Sequence, residues 1–383
     1  MTCMNTPKGA DAFLRHPALC HLSEAEVQQF GAEVEAIGDR VMNSRGERDA
    51  RYIRRVIAFQ RTTEVVARLT IYAGILYFPL FFVGAALLGL AKILENMEIG
   101  HNVMHGQWDW LQDPTIHSKT WEWDNVCPAE HWTRAHNYLH HTWTNVIGVD
   151  RDFGYLIIRF SDKQAWHPGY LLQPISNALL ALLFQWGVAA HDDELSGVRR
   201  GKYTYAQMKP RYNRLWRKIG RQLAKDYLLF PLLAGPYFLW VALANLIANG
   251  IRNVWAYAVI FCGHFPEGVQ EFLPEEVEGE DKGRWYLRQL LGSANIRGGR
   301  LMHLLTGNLS HQIEHHLWPR MPSNRYAEVA PQVEALCQRY GLPYNSYSMP
   351  RQIGTVWLKV FKYALPRRQY SHMAAAQQSA FQS

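Results

Sequence analysis

The chain is poor in the residues that hold common redox cofactors. Its five cysteines (Cys3, Cys20, Cys127, Cys262 and Cys337) stand singly along 383 residues, with no CxxC pair. That spacing excludes a thiolate-bound zinc or an iron–sulfur cluster and reads as free thiols in a reducing compartment. No glycine-rich dinucleotide fingerprint follows a strand-like run, so a nicotinamide or flavin site within the chain is not expected. The opening stretch MTCMNTPKGADAFLRHP has no apolar core of signal-peptide length, so secretion is not expected.

Acidic residues are also in deficit, 33 against 40 Lys and Arg, for a net charge of +7. The imbalance concentrates between His191 and Lys225, where ten basic residues meet three acidic ones. Such a stretch suits a positive-inside loop at an anionic leaflet, or a phosphate-bearing ligand. No motif that reads bases accompanies it, and nucleic acid is not an expected partner.

Apolar and aromatic residues are plentiful: 48% hydrophobic, 13% aromatic, with 14 Trp and 19 Tyr, against a mean hydropathy of −0.23. That balance fits a membrane protein with much of its mass outside the bilayer. Residues 22 to 68 read as polar helix, opening on a capping box at Ser23 and Glu26. From Leu69 to Ala91 there is no charge, and Pro79 interrupts the run, making it one kinked span or a hairpin turning near LYFP. A second apolar region, from Asp226 to His264, is broken at AGP (234–236). The repetition favours two hairpins, which return the chain each time to the side where it began. Residues 170–190 are apolar between charged flanks and read as interfacial or re-entrant.

Histidine supplies the strongest signal. HNVMH (101–105), HNYLHH (136–141) and HQIEHH (311–316) repeat a four-residue offset, twice with an adjacent histidine. Random placement of 17 histidines would yield a given three-histidine pattern about 0.03 times per chain, so two copies argue against chance. On a helix, residues four apart share a face and aim two imidazoles at one metal, while an adjacent residue is rotated towards a second. A two-metal centre therefore suits the pattern better than a single zinc, although imidazole alone does not name the metal. His264 ends a long apolar run, where an ionisable residue is a functional candidate. His117, His167 and His191 have no partner at ligand spacing and read as ordinary surface residues; His131 and His303 lie off the repeat. Glu98, Glu130 and Glu314 accompany the clusters and are candidates to orient the imidazoles.

The stretches GHNVMHGQWDW, HNYLHHTWTN and NLSHQIEHHLWP, in this order and spaced by apolar hairpins, resemble the histidine boxes of the membrane fatty-acid desaturases, most of all the bacterial acyl-CoA Δ9 (stearoyl-CoA-type) branch. The likeness covers roughly residues 50 to 345. It implies two iron ions held by His101, His105, His136, His140, His141, His264, His311, His315 and His316. Many members carry QxxHH in the last box, which here is Gln312, His315 and His316; the offset shared with His136 and His140 favours His311 as the ligand and Gln312 as its neighbour. Some relatives carry a fused haem domain marked HPGG. WHPGY (166–170) lacks the second glycine, so electrons are expected from NAD(P)H through a separate ferredoxin-type reductase or other donor.

The resemblance implies an all-α integral membrane protein with about four transmembrane helices in two hairpins, an interfacial segment, and a cytoplasmic helical cap carrying the boxes. A single domain is expected over 1–365: an N-terminal helical region (1–55), the first hairpin and box (56–105), a cytoplasmic part (106–225), the second hairpin (226–264) and a last cytoplasmic part (265–365), with a disordered tail at 366–383. The implied reaction is O2-dependent insertion of a cis double bond, Δ9, into a saturated acyl chain carried on CoA or lipid, at the cytoplasmic face of the inner membrane. Arg199, Arg200, Arg211 and Arg214 are candidates to hold the head group. The alternatives are hydroxylation of an acyl chain or alkane by the same kind of centre, and non-catalytic metal binding or transport. Transport predicts ligands at the midplane of spanning helices, whereas the boxes lie mostly in polar, Trp-rich sequence.

Overall fold

The fold was analysed in a computed structural model that describes residues 13–14, 16–191 and 203–366. Arg199, Arg200 and the expected tail from 367 onward lie outside the described residues, as does the side chain of His191.

The polar N-terminal region forms two helices. Helix α1 (Glu24–Asn43) opens on the expected box, with Ser23 N–H donating to Glu26 at 2.8 Å, and ends before Gly46. Helix α2 (Glu47–Ala73) then runs to the first apolar break. After residues 74–78 the chain re-enters as α3 (Pro79–Leu94), with proline at its first turn, where a missing N–H costs nothing. The two helices pack antiparallel and very close. A Cβ on Gly84 would come within 2.7 Å of the Ile71 backbone nitrogen, so only glycine fits there. This is the hairpin turning near LYFP.

Helix α3 continues through a π-helical turn (Glu95–His101) into the first histidine box. Helix α4 (Ala129–Thr133) leads into a π-helical turn (Arg134–His140) that, with His141 just after it, carries the second box. Helices α5 (Gln173–Leu182) and α6 (Phe184–His191) form the ambiguous apolar segment. It is bent by 99° at its break, as a broken or re-entrant piece would be. Helix α7 (Tyr205–Ala224) is strongly amphipathic and carries the basic stretch. The expected AGP break is a short 3-10 turn (Gly235–Tyr237), after which α8 (Phe238–His264) runs unbroken to its terminal histidine. Helices α9 (Lys282–Leu291), α10 (Arg300–Leu305), α11 (Gln312–Leu317), α12 (Tyr326–Arg339) and α13 (Met349–Ala364) complete the chain.

Among the described residues two helices, Pro79–Met104 and Gly235–His264, are long and apolar enough to cross a membrane, and the bent pair could make a third. Leu76 and Leu233, at the two breaks, are 92% and 68% exposed, which water would penalise and hydrocarbon would not. Lys92, buried on α3, is neutralised by Asp124 at 2.9 Å and Asp226 at 3.0 Å, the pairing a cation needs inside an apolar bundle. The fold is mostly helical but not wholly so. Asn295–Arg297 (β1) and Ser346–Ser348 (β2) form a parallel two-stranded ribbon, Ile296 opposite Tyr347. It ties the loop before the third box to the start of α13.

Candidate metal centre

Four segments bring eight histidines to one buried point. The ends of α3 and α8 supply His101, His105 and His264; the π-helical second box supplies His136, His140 and His141; α11 supplies His315 and His316. Three groups have ligand atoms within 4.8 Å of one another: His101, His105, His136 and His315; His136, His140 and His141; and His140, His264 and His316. All eight side chains are buried, none more than 5% exposed.

Hydrogen bonding fixes which nitrogen faces inward. His140 Nδ1 lies 2.9 Å from Asp150 Oδ2, and His136 Nδ1 lies 2.8 Å from Asp152 Oδ2. Carboxylates only accept here, so each Nδ1 carries the proton and each Nε2 presents a lone pair. The same argument applies to His101 Nδ1 on Asn102 Oδ1 (3.0 Å), to His316 Nδ1 on Gln289 Oε1 (3.0 Å), and to His315 Nδ1 on the Tyr326 hydroxyl (3.2 Å), whose proton goes to Trp318 O. The inward Nε2 atoms of His101, His105, His140 and His315 meet no hydrogen-bond donor, and His141 has no partner at either ring nitrogen. His316 Nε2 stands 3.3 Å from His264 Nε2. Several buried lone pairs aimed at one another are unfavourable unless cations sit between them. Burial, reinforced by neighbouring imidazoles, holds His105, His141, His315 and His316 well below the usual histidine range and so neutral, the form that ligates. At His140 burial acts in the same direction but Asp150 and Asp152 prevail and raise it. The donor set fits a two-metal centre.

His311 is not part of this cluster. Helix α11 begins at Gln312, and His311 has the non-helical φ −104° and ψ 56°, so the four-residue offset to His315 does not place both on one face. Its ring stacks instead on His303, centroids 4.5 Å apart. Gln312 takes the inward place, its side-chain amide 2.9 Å from His264 Nε2 and its Oε1 without a partner. The expected preference between these two residues is thereby reversed.

The orienting carboxylates also differ from expectation. Glu130 is exposed and pairs with Arg214 at 3.1 Å. Glu98 is buried but accepts from Tyr52, Ser323 and Asn308, and Glu314 from Asn295 and Tyr344; neither meets a cluster imidazole. Asp150 and Asp152 take that role. They lie in GVDRDFG, just after the second box, and a search for acids following each box would have found them.

Two cavities adjoin the cluster. A narrow internal slot touches His101 and His136 and is walled by Met97, Trp132, Tyr155, Phe184 and Ile260. Buried Arg252 is also in its wall, donating to Gln185 Oε1 at 2.6 Å and Asn96 Oδ1 at 3.2 Å. An open cleft of about 1250 Å³ has His105 in its wall and mixed charge at its rim, including Lys119, Glu130, Arg134 and Arg320. Arg214, paired with Glu130, stands at this rim, and Arg211 feels the charges of Arg134 and Glu130. His167 is a surface residue whose Nδ1 accepts from Gly169 N, as expected of a histidine outside the site.

Comparison with known proteins agrees with the geometry. The model of the fatty acid desaturase family matches residues 76–348. The NADPH-dependent stearoyl-CoA 9-desaturase of Mycobacterium tuberculosis is 48% identical over 350 residues, covering 90% of this chain and 82% of that protein. More distant are the sn-1 linoleoyl-lipid 6-desaturase of Synechocystis (24% identical, 70% of this chain and 76% of that protein) and the Delta(8)-fatty-acid desaturase of Euglena gracilis (26%, 72% and 66%). A buried cluster of imidazoles at the ends of two apolar helices, with an internal slot beside it, and this extent of identity lead to one conclusion: the chain belongs to the fatty acid desaturase family and is an oxidoreductase.

Proposed function

We propose that the protein introduces a cis double bond at Δ9 of a saturated acyl chain, with stearoyl-CoA as the leading substrate, using O2 and two electrons from NADPH delivered by a separate redox protein. The observation that carries this reading is the convergence of buried, partnerless Nε2 lone pairs beside an apolar slot. His101, His105, His136 and His315 would hold one iron; His140, His264 and His316 the other, with Gln312 beside it and His141 between them. Bound iron supplies the O2-dependent oxidation, in which two vicinal C–H bonds give up their hydrogens and dioxygen leaves as two waters.

The chain's own residues perform the remaining tasks. Asp150 and Asp152 hold His140 and His136 in the tautomer and rotation that face the centre. Trp132, stacked on His136 with ring centroids 4.4 Å apart, walls the slot against water. A methylene offers no charge to recognise, so position must be measured sterically. The slot would admit the acyl chain beside His101 and His136, while the head group rests in the cleft beside His105, within reach of Arg211 and Arg214. The two hairpins, as four spans, would place the centre at the cytoplasmic surface of the inner membrane, with residues 1–365 as one domain.

The test is incubation of purified protein with NADPH, its reductase and stearoyl-CoA, or a phospholipid carrying the same chain. A product lighter by two hydrogens with its double bond at Δ9 supports the proposal. A product heavier by one oxygen would make the protein a hydroxylase.

A further inference from the structure

A second large cavity, of about 760 Å³, lies away from the slot and the cleft, between α2 and α10. Arg48, Arg51 and Arg55 enter it from one face of α2, and Arg300 from the start of α10. No acidic residue lines it. Like charges at offsets of three and four destabilise a helix, and here three stand in a row. Arg48 is only loosely offset by exposed Glu328 at 3.7 Å. Arg51, Arg55 and Arg300 form no ion pair among the described residues. Positive charge from two elements 245 residues apart thus converges on one cavity, where all four arginines are exposed to a ligand.

Its wall also carries apolar Val56, Leu304 and half-exposed Phe59, with His303 beside them. Tyr52 and Asn308, in the same wall, both donate to buried Glu98, at 3.0 and 2.8 Å.

We propose that this cavity binds a phosphate-headed amphiphile, its phosphate in the arginine forks and its hydrocarbon along Val56, Phe59 and Leu304. Guanidinium matches phosphate in bidentate geometry, which an ammonium does not. Membrane phospholipid and acyl-CoA share this chemistry.

The experiment is binding to the full-length, iron-loaded protein in neutral detergent, followed by native mass spectrometry with phosphatidylglycerol, stearoyl-CoA and inorganic phosphate as separate probes. R51E/R55E is expected to lose affinity for the preferred probe about tenfold or more, with R51K/R55K in between. R300E, on a different element, must reproduce the loss; iron content and melting temperature report that each variant is folded. Preference for phosphatidylglycerol assigns the site to the bilayer, and preference for stearoyl-CoA to the acyl carrier; either upholds it. Equal binding by wild type and variants overturns the proposal. So does loss of reductase-driven turnover alone with every probe still bound, since the arginines would then dock a protein.

Discussion

Replacing Asp150 by Asn tests the positioning of the centre without touching a ligand. The Asp150 carboxylate is fully buried and accepts from His140 Nδ1, from Asn145 N at 2.8 Å and from Asp152 N at 2.9 Å. Asparagine keeps the shape but has one oxygen and an NH2, so at least one of the three buried donors must face another donor. That mismatch costs about 1–3 kcal/mol. Removing the charge also weakens the hold on the His140 tautomer and the basicity of its Nε2. Changes of this kind beside metal-bound histidines cost about 10–100-fold in metal affinity or activity. The assay is iron per chain after dialysis against a graded chelator, paired with turnover at saturating iron. D150N is expected to lose iron at a chelator concentration lower by that factor, and turnover in step. Wild-type retention of both would refute the view that Asp150 positions His140.

The remaining predictions use the same readouts. H311A should keep iron and activity, since its ring lies on His303, whereas Q312A should weaken the half of the centre near His264. G263A should act like a mild Q312A, because a Cβ there would come within 2.9 Å of Gln312 Cγ. H167A, at the surface and outside both cavities, should change neither iron content nor turnover. Chelation should lower the melting temperature and abolish activity; Fe(II) should restore both, and redox-inert Zn(II) the melting temperature alone.

The histidine offsets reveal most of the centre in advance because they depend on local helix geometry. They fail at His311, because the helix starts one residue later, at Gln312. The π-helical turns at Glu95–His101 and Arg134–His140 are also invisible to an offset count, yet they still leave His136 stacked on His140 with centroids 4.8 Å apart. Asp150 and Asp152 come from a loop, and loops carry no periodicity to mark them. The breaks at LYFP and AGP are legible because proline and glycine interrupt otherwise uniform apolar runs. The β1–β2 ribbon joins two three-residue strands some 50 residues apart, too short for any alternation to show.

The central claim is that eight imidazoles hold two irons. Anomalous scattering at the iron edge from the purified, crystallised protein tests it most directly. The account predicts two iron peaks in the buried cluster, one contacted by His101, His105, His136 and His315, the other by His140, His264 and His316, with His141 between them. A single peak, a zinc edge in place of iron, or a peak between His303 and His311 would contradict it.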